Sequence, residues 1–309
     1  MAEARKHEKY EALIRACVTL APIRTAVVHP CDDSSLAGAL EAAAARLIQP
    51  VLVGPQARLR ALAASLQLDL GGLQIEDTAH SHASADRAME LVRAGEADAL
   101  MKGSLQTHEF MAAVVRKEGG LRTARRVSHV FIMDVPTYPK PLFITDAAVN
   151  IFPSLEDKAD IVQNAIDLAH ALGIDRPKVA ILSAVETITS KIPSTIDAAA
   201  LCKMADRGQI TGALLDGPLA LDNAINREAA AIKHIVSAVA GDADSLVVPD
   251  MEAGNLLAKE LSFLANADAA GIVLGARVPI ILTSRADNLR TRMASCAVAA
   301  LYAHARRPG

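Results

Sequence analysis

Short apolar runs alternate with longer alanine- and leucine-rich segments along nearly the whole chain, and this alternation restricts the fold more than any other feature. Arg24 to Val28, Pro50 to Val53, Leu73 to Ile75, Ala97 to Met101, Val127 to Met133 and Leu142 to Thr145 read as strands. The segments between them, Ser34 to Ile48, Pro55 to Leu66, His82 to Ala94 and Leu105 to Lys117, are long enough for crossover helices. Strand, helix and strand in that order predict an α/β fold with a mostly parallel sheet. The core has to be aliphatic, because the chain holds no tryptophan and only 3% aromatic residues. Parallel strands under alanine-rich helices suit such a core, since both faces of their sheet are covered.

The second half continues in the same style. Ser154, three residues ahead of Asp157, is placed to cap a helix that follows Pro153 and ends near Gly173. Its spacing turns Val162, Ala165, Ile166, Ala169 and Leu172 inward and Lys158, Gln163, Asp167 and His170 outward. Strands are predicted at Val179 to Leu182, Gly212 to Leu215, Ser245 to Val248, Gly271 to Leu274 and Pro279 to Leu282. A last helix, about Asn288 to Arg306, is expected to bury Leu289, Met293, Cys296, Ala297, Ala300 and Leu301. No internal repeat or low-complexity linker is visible, and the proline-dense Pro136 to Pro141 is the candidate domain junction.

Charge narrows the function classes. With 32 basic and 35 acidic residues and a net charge of −3, the chain lacks the broad basic footprint of a nucleic-acid binder. The charged start of the chain is no secretory leader, and the uncharged run Met293 to Ala305 is too short to span a membrane, so a cytoplasmic protein is expected. Cys17, Cys31, Cys202 and Cys296 are far apart and read as reduced thiols. His82, His108, His129 and His170 show no metal-ligand spacing, and no metal is predicted. Neither a P-loop nor a G-x-G-x-x-G follows the early strands, which leaves nucleotide triphosphate and dinucleotide readings unsupported.

Several motifs stand where strands end. Lys102-Gly103-Ser104-Leu105-Gln106-Thr107 joins a strand to a helix, so its backbone N–H groups with Ser104 and Thr107 are arranged to cradle a phosphate; a strand-end lysine with a serine-capped helix explains the same residues. Ser284 and Arg285 follow a buried strand, where open α/β sheets place ligand contacts. An arginine fork suits phosphate and a serine hydroxyl suits a thiol or an oxyanion, whereas the plainer reading is a turn with Asp287 capping the next helix. Asp250, Glu252 and Asn255 open a helix after a strand, and capping competes with substrate binding there. Asp216 and Asn223 divide between a turn and a site lining in the same way. His29-Pro30-Cys31 invites a nucleophilic reading, but nothing adjacent orients the pair, and removing Cys31 is expected to leave turnover largely intact.

Taken in order, Met101-Lys102-Gly103, Val127 to Asp134, Thr145 to Asn150, Pro177 to Glu186, Asp216 to Ile225, Val248 to Asn255 and Leu282 to Asp287 resemble the phosphate acetyl/butyryltransferase family. The likeness runs from about Val27 to Ala305 and is nearest the butyryltransferase-like branch and the acyltransferase half of bifunctional enoyl-CoA hydratase/phosphate acetyltransferases. It implies two α/β/α domains with a cleft between them, like isocitrate and isopropylmalate dehydrogenases: residues 1–140 plus 275–309, and residues 141–274.

The activity it implies is reversible exchange of a short acyl group, acetyl or butyryl, between coenzyme A and phosphate in a ternary complex. Coenzyme A is then a substrate, no cofactor is tightly held, and a homodimer or higher homo-oligomer is expected. Catalysis is implied for Ser284 and Arg285, with substrate binding at Lys102, Gly103, Ser104, Thr107, Asp216, Asp250, Glu252 and Asn255. The family's acetyltransferases carry an aspartate seven residues after the serine, proposed as the base; Thr291 stands there, and Asp287 is the carboxylate that can replace it. An arginine expected about six residues after Thr107 is Ala113, leaving Lys102 or Arg116 to supply that charge. These two departures keep open a second reading, a non-catalytic acyl-CoA-sensing module like the end domain of some malic enzymes.

Overall fold

The computed structural model describes residues 7–283 and 287–307. The chain divides into two compact units, a terminal one of Tyr10–Val127 with Ala270–Gly309 and a central one of Met1–Lys9 with Ser128–Ala269.

The terminal unit is built from β1 (Ile23–Val28), α2 (Asp33–Ala44), β2 (Ile48–Gly54), α3 (Gln56–Ser65), β3 (Ile75–Asp77), α4 (Ser81–Arg93), β4 (Ala99–Lys102) and α5 (Thr107–Val115), after a first helix α1 (Glu8–Cys17). The central unit follows with β5 (Ser128–Asp134), β6 (Leu142–Thr145), α6 (Leu155–Ala171), β7 (Lys178–Leu182), α7 (Pro193–Asp206), β8 (Leu214–Leu219), α8 (Leu221–Ile225), α9 (Arg227–Ile232), β9 (Ser245–Val247) and α10 (Met251–Phe263). The chain then closes the terminal unit with β10 (Asp268–Leu274), β11 (Ile280–Ile281) and α11 (Leu289–Ala305).

In the terminal unit the strands lie in the order β3-β2-β1-β4-β11-β10. All neighbours from β3 to β11 are parallel, and β10 is antiparallel to β11. β1 and β4 are buried on both faces, as parallel strands under two helix layers must be. Right-handed crossovers put α2 and α3 on the face opposite α4. In keeping with this, α2 packs on α11 and α4 on α5. α11 buries Cys296 along with Ala294, Ala297, Ala300 and Tyr302, but Leu289, expected inside, is 47% exposed because it lies in the first turn.

The central unit orders its strands β5-β6-β9-β7-β8, parallel except for the β5/β6 pair. The proline-dense stretch Pro136 to Pro141 joins those two antiparallel strands, so it is a connection inside one unit and not the domain junction. The unit boundaries fall at Lys9/Tyr10, Val127/Ser128 and Ala269/Ala270, against 140/141 and 274/275 in the sequence reading. Ser154 and Asp157 form the expected capping box on α6, which satisfies orphan N–H groups for about 1 kcal/mol. Lys158, expected outside, is buried and pairs at 2.6 Å with Asp197 of α7. A single outward-facing lysine had no local signal for a partner two elements away.

Candidate active site

Three strands of the terminal unit, β1, β4 and β11, end on one edge of the sheet. Val28 pairs with Lys102, and Ile281 with Met101, so the segments leaving these strands emerge side by side. Carboxyl-end edges of this kind are where open α/β sheets hold ligands.

The turn after β4 is held tightly. Gly103 N donates to Val28 O at 2.9 Å, and Ser104 donates to His29 O through both its N–H (2.9 Å) and its hydroxyl (2.8 Å). A Cβ at Gly103 would stand 2.6 Å from His29 O and closer still to Val28 O, so only glycine fits this approach. Gly103→Ala is accordingly expected to destabilise the protein by about 1–3 kcal/mol in urea unfolding, with loss of turnover, because two backbone segments must part.

Lys102 is buried, and its ammonium donates to Gly103 O (3.0 Å) and Leu105 O (3.2 Å), so part of its charge braces the turn. The cap of α5 is Gln106, not a serine, and its side chain makes no capping bond. The Gln106 side chain therefore satisfies none of the backbone N–H groups in the first turn of α5. Glu109 in the same first turn lies 3.0 Å from His82 Nδ1. Arg116 does not serve this turn: it is the C-cap of α5, roughly 13 Å along a nine-residue helix, and pairs with Asp86 at 2.8 Å.

Ser284 and Arg285 lie outside the described residues. The strand that leads to them, β11, is buried, and Thr283 beyond it is 8% exposed. Asp287, half-buried, is not the helix cap; Asn288 caps α11 by accepting from Thr291 N at 2.9 Å. Thr291 therefore stands in the capped first turn of α11.

His29, at the end of β1, has a left-handed backbone with φ of 55°. Its ring Nδ1 lies 3.0 Å from Ser84 Oγ, which supplies the orienting group that the sequence did not reveal. Burial, with Arg58 nearby, holds the imidazole pKa below its ordinary value. Cys31 is buried, and burial raises its thiol, which disfavours the thiolate a nucleophile needs. Cys31→Ala is expected to keep most of its turnover; an acylated Cys31 found by mass spectrometry would overturn this. The other three cysteines are also free, and burial pushes Cys17 up to about 11 and both Cys202 and Cys296 up to about 12.

In the central unit, Asp146 anchors the Thr145–Asn150 motif. Its buried carboxylate accepts from the N–H groups of Ala148 (2.9 Å), Val149 (3.0 Å) and Asn150 (3.1 Å), and from Asn150 Nδ2 at 2.5 Å. Against this loop packs the start of α10: Asn255 Nδ2 donates to Ala147 O at 3.3 Å, and a Cβ at Gly254 would stand 2.8 Å from Asp146 O. Asp250 caps α10 through Ala253 N at 2.9 Å, and Glu252 is exposed in its first turn. Asp216 accepts from the next N–H, that of Gly217, at 2.8 Å. Asn223 is fully buried and donates to Glu186, which also pairs with Lys233 at 2.9 Å. The motifs Thr145–Asn150 and Val248–Asn255 are thus one structural feature, as are Pro177–Glu186 and Asp216–Ile225. An aspartate followed by small residues was the only sequence signal for the Asp146 anchor.

His7, Asp134 and Asp268 of the central unit bring ligand atoms within 4.8 Å of one another. Lys9 Nζ lies 3.0 Å from Asp134 Oδ1 and His7 Nδ1 2.8 Å from Asp268 Oδ2, so each of these carboxylates already has a side-chain partner. No helix among the described residues is long and apolar enough to cross a membrane.

The sequence profile of the family described as phosphate acetyl/butaryl transferase matches residues 83–300, which takes in the turn after β4, the Asp146 loop, the start of α10 and the segment beyond β11. The chain belongs to that family. It is 65% identical over 299 residues to the phosphate acetyltransferase of Rhizobium meliloti, covering 97% of this chain and 95% of that one. It is 42% identical over 280 residues to the phosphate butyryltransferase of Clostridium beijerinckii, covering 91% and 93%. A branched-chain phosphotransacylase from Enterococcus faecalis V583 superposes with a TM-score of 0.79 at 30% identity, covering 91% of this chain and 99% of that one. For a phosphate acetyl/butyryltransferase, the built turn at α5 and the segment after β11 are the natural first places to seek phosphate and thioester contacts.

Proposed function

We propose that the chain is a phosphate acyltransferase that moves a short acyl group reversibly between coenzyme A and inorganic phosphate. The observation that carries this reading is the helix start at Thr107, uncapped by Gln106 and fixed by Gly103 on the edge where β11 leads to Ser284 and Arg285. In one direction the thiol of coenzyme A loses its proton and attacks the acyl carbonyl, so that a C–S bond forms and the C–O bond to phosphate breaks; in reverse, phosphate attacks the thioester, the C–O bond forms, the C–S bond breaks and the thiolate takes back a proton. Ser284 orients the thiol and steadies the oxyanion, Arg285 and the helix start with Thr107 hold phosphate, and Asp287 is the nearest carboxylate in sequence for the thiol proton. Both donors of Ser104 are already engaged with His29 O, so its part is to shape the turn.

Of the central-unit candidates, Glu252, exposed in the first turn of α10, is assigned to substrate binding, since Asp250 is spent on its cap, Asp216 on its own turn and the Asn255 amide on Ala147 O. Acetyl is the first acyl group to try, because the 65% identical relative is a phosphate acetyltransferase. A homo-oligomer fits the exposure of Leu256 and Phe263, 69% and 83%, which lie two turns apart on one face of α10. The acyl-CoA-sensing alternative is not favoured by relatives that carry enzyme names over nearly the same length.

The deciding assay mixes purified protein with coenzyme A and acetyl or butyryl phosphate and follows thioester absorbance. Thioester formation is expected; binding of coenzyme A without turnover of either acyl phosphate would favour the sensing module.

A further inference from the structure

We infer that His29 is a positioning residue for phosphate: its ring, tied to Ser84, fixes the strand end whose carbonyl holds the turn leading into α5. The inference rests on the proposed reading of the α5 start as the phosphate site.

Few residues other than glycine accept a left-handed backbone, and His29 keeps one because bonds on every side determine it. Its N–H donates to Val53 O at 2.7 Å. Its carbonyl accepts from Cys31 N (2.8 Å), Ser104 N (2.9 Å) and the Ser104 hydroxyl (2.8 Å). That turned carbonyl clamps the turn before α5 by backbone and side chain together, and Cys31 N in return donates to Ser104 Oγ at 3.3 Å.

The ring is fixed by hydroxyl bookkeeping. Ser84, fully buried, donates its single proton to His80 O at 3.0 Å. It therefore accepts at its other two contacts, from Thr78 Oγ1 at 2.8 Å and from His29 Nδ1 at 3.0 Å. His29 is then the neutral Nδ1–H tautomer. Arg58 and His80 act on the ring in the same direction as burial, and Glu109 opposes them. The chain from Thr78 through Ser84 and His29 to Ser104 ties the start of α4 to the start of α5, a link between residues 55 and 75 positions apart.

Ser84→Ala removes the ring's anchor and leaves the His29 backbone unchanged, and His29→Asn keeps a residue that tolerates the left-handed conformation. In acyl phosphate formation from acetyl-CoA, both variants are expected to raise the KM for phosphate about tenfold, the worth of one net hydrogen bond, with the KM for acetyl-CoA within about twofold. Thr107→Ala run alongside separates the two claims. If Thr107→Ala leaves the phosphate KM unchanged, the phosphate site itself is misplaced; if it raises that KM while Ser84→Ala and His29→Asn do not, the His29 inference alone fails. Nitrogen-15 spectra of the wild-type histidines give a readout that needs no variant: a protonated Nδ1 at His29 is expected, and an Nε2–H tautomer would overturn the proposed anchor.

Discussion

Ser284→Ala should lower kcat by about 10²–10³-fold, the loss typical of one oxyanion donor. The thermal midpoint should stay within about 4 °C, the shift that ~1 kcal/mol makes in a chain of this size. The large effect is argued from where the charge develops. As the thiol attacks, the acyl oxygen becomes an oxyanion, and under the proposed mechanism the Ser284 hydroxyl is the donor that stabilises it; a preorganised donor does so without having to reorganise. Proton removal is worth less. A thiol with pKa about 8.5 is about 3% ionised at pH 7, so full deprotonation gains at most about thirtyfold. Asp287→Asn should therefore cost no more than that thirtyfold, well short of Ser284→Ala. Steady-state kinetics with acetyl phosphate and coenzyme A decide it. Unchanged kcat in Ser284→Ala would remove the hydroxyl from the reaction.

The second large effect is on stability against acid. His129 in β5 is fully buried, sits edge-on to Phe131 with ring centroids 4.3 Å apart, and has no partner for Nδ1 among the described residues. Burial pushes its pKa down from 6.5 to about 3, because a charged imidazole there would give up water for nothing. The folded value lies below the unfolded one, so the stability tied to neutral His129 is complete above pH 6.5 and is lost as the pH falls toward 3. Each pH unit inside that window costs about 1.36 kcal/mol, or about 2 kcal/mol by pH 5. His129→Leu should remove this slope. Urea unfolding of both proteins at pH 7 and pH 5 is the test: the wild type should lose about 2 kcal/mol more than the variant, and equal losses would sink the assignment.

What the sequence disclosed was local. The Ser154/Asp157 capping box spans three residues, and the double-sided burial of β1 is written in its run of aliphatics, so both could be read directly. The antiparallel turn between β5 and β6 looked like a junction because prolines mark any sharp change of direction. Lys158 and Asp197, or His29 and Ser84, are brought together by packing of separate elements, and neither pair has a spacing that periodicity can detect. At the candidate site, Gly103 and Thr107 were legible as a strand-to-helix turn, while the engagement of both Ser104 donors by His29 O depended on which strand lies beside β4. Ser284 and Arg285 remain assigned by family likeness and by the strand that precedes them.

The raised thiols have a practical meaning at the bench. A disulfide reagent that colours on meeting a thiolate should see little of Cys17, Cys31, Cys202 or Cys296 while the protein is folded, since burial keeps each protonated. Coenzyme A released into solution reacts freely, so the reagent reports product with a nearly silent protein background. A slow rise in that background would then count unfolding molecules instead of catalytic events.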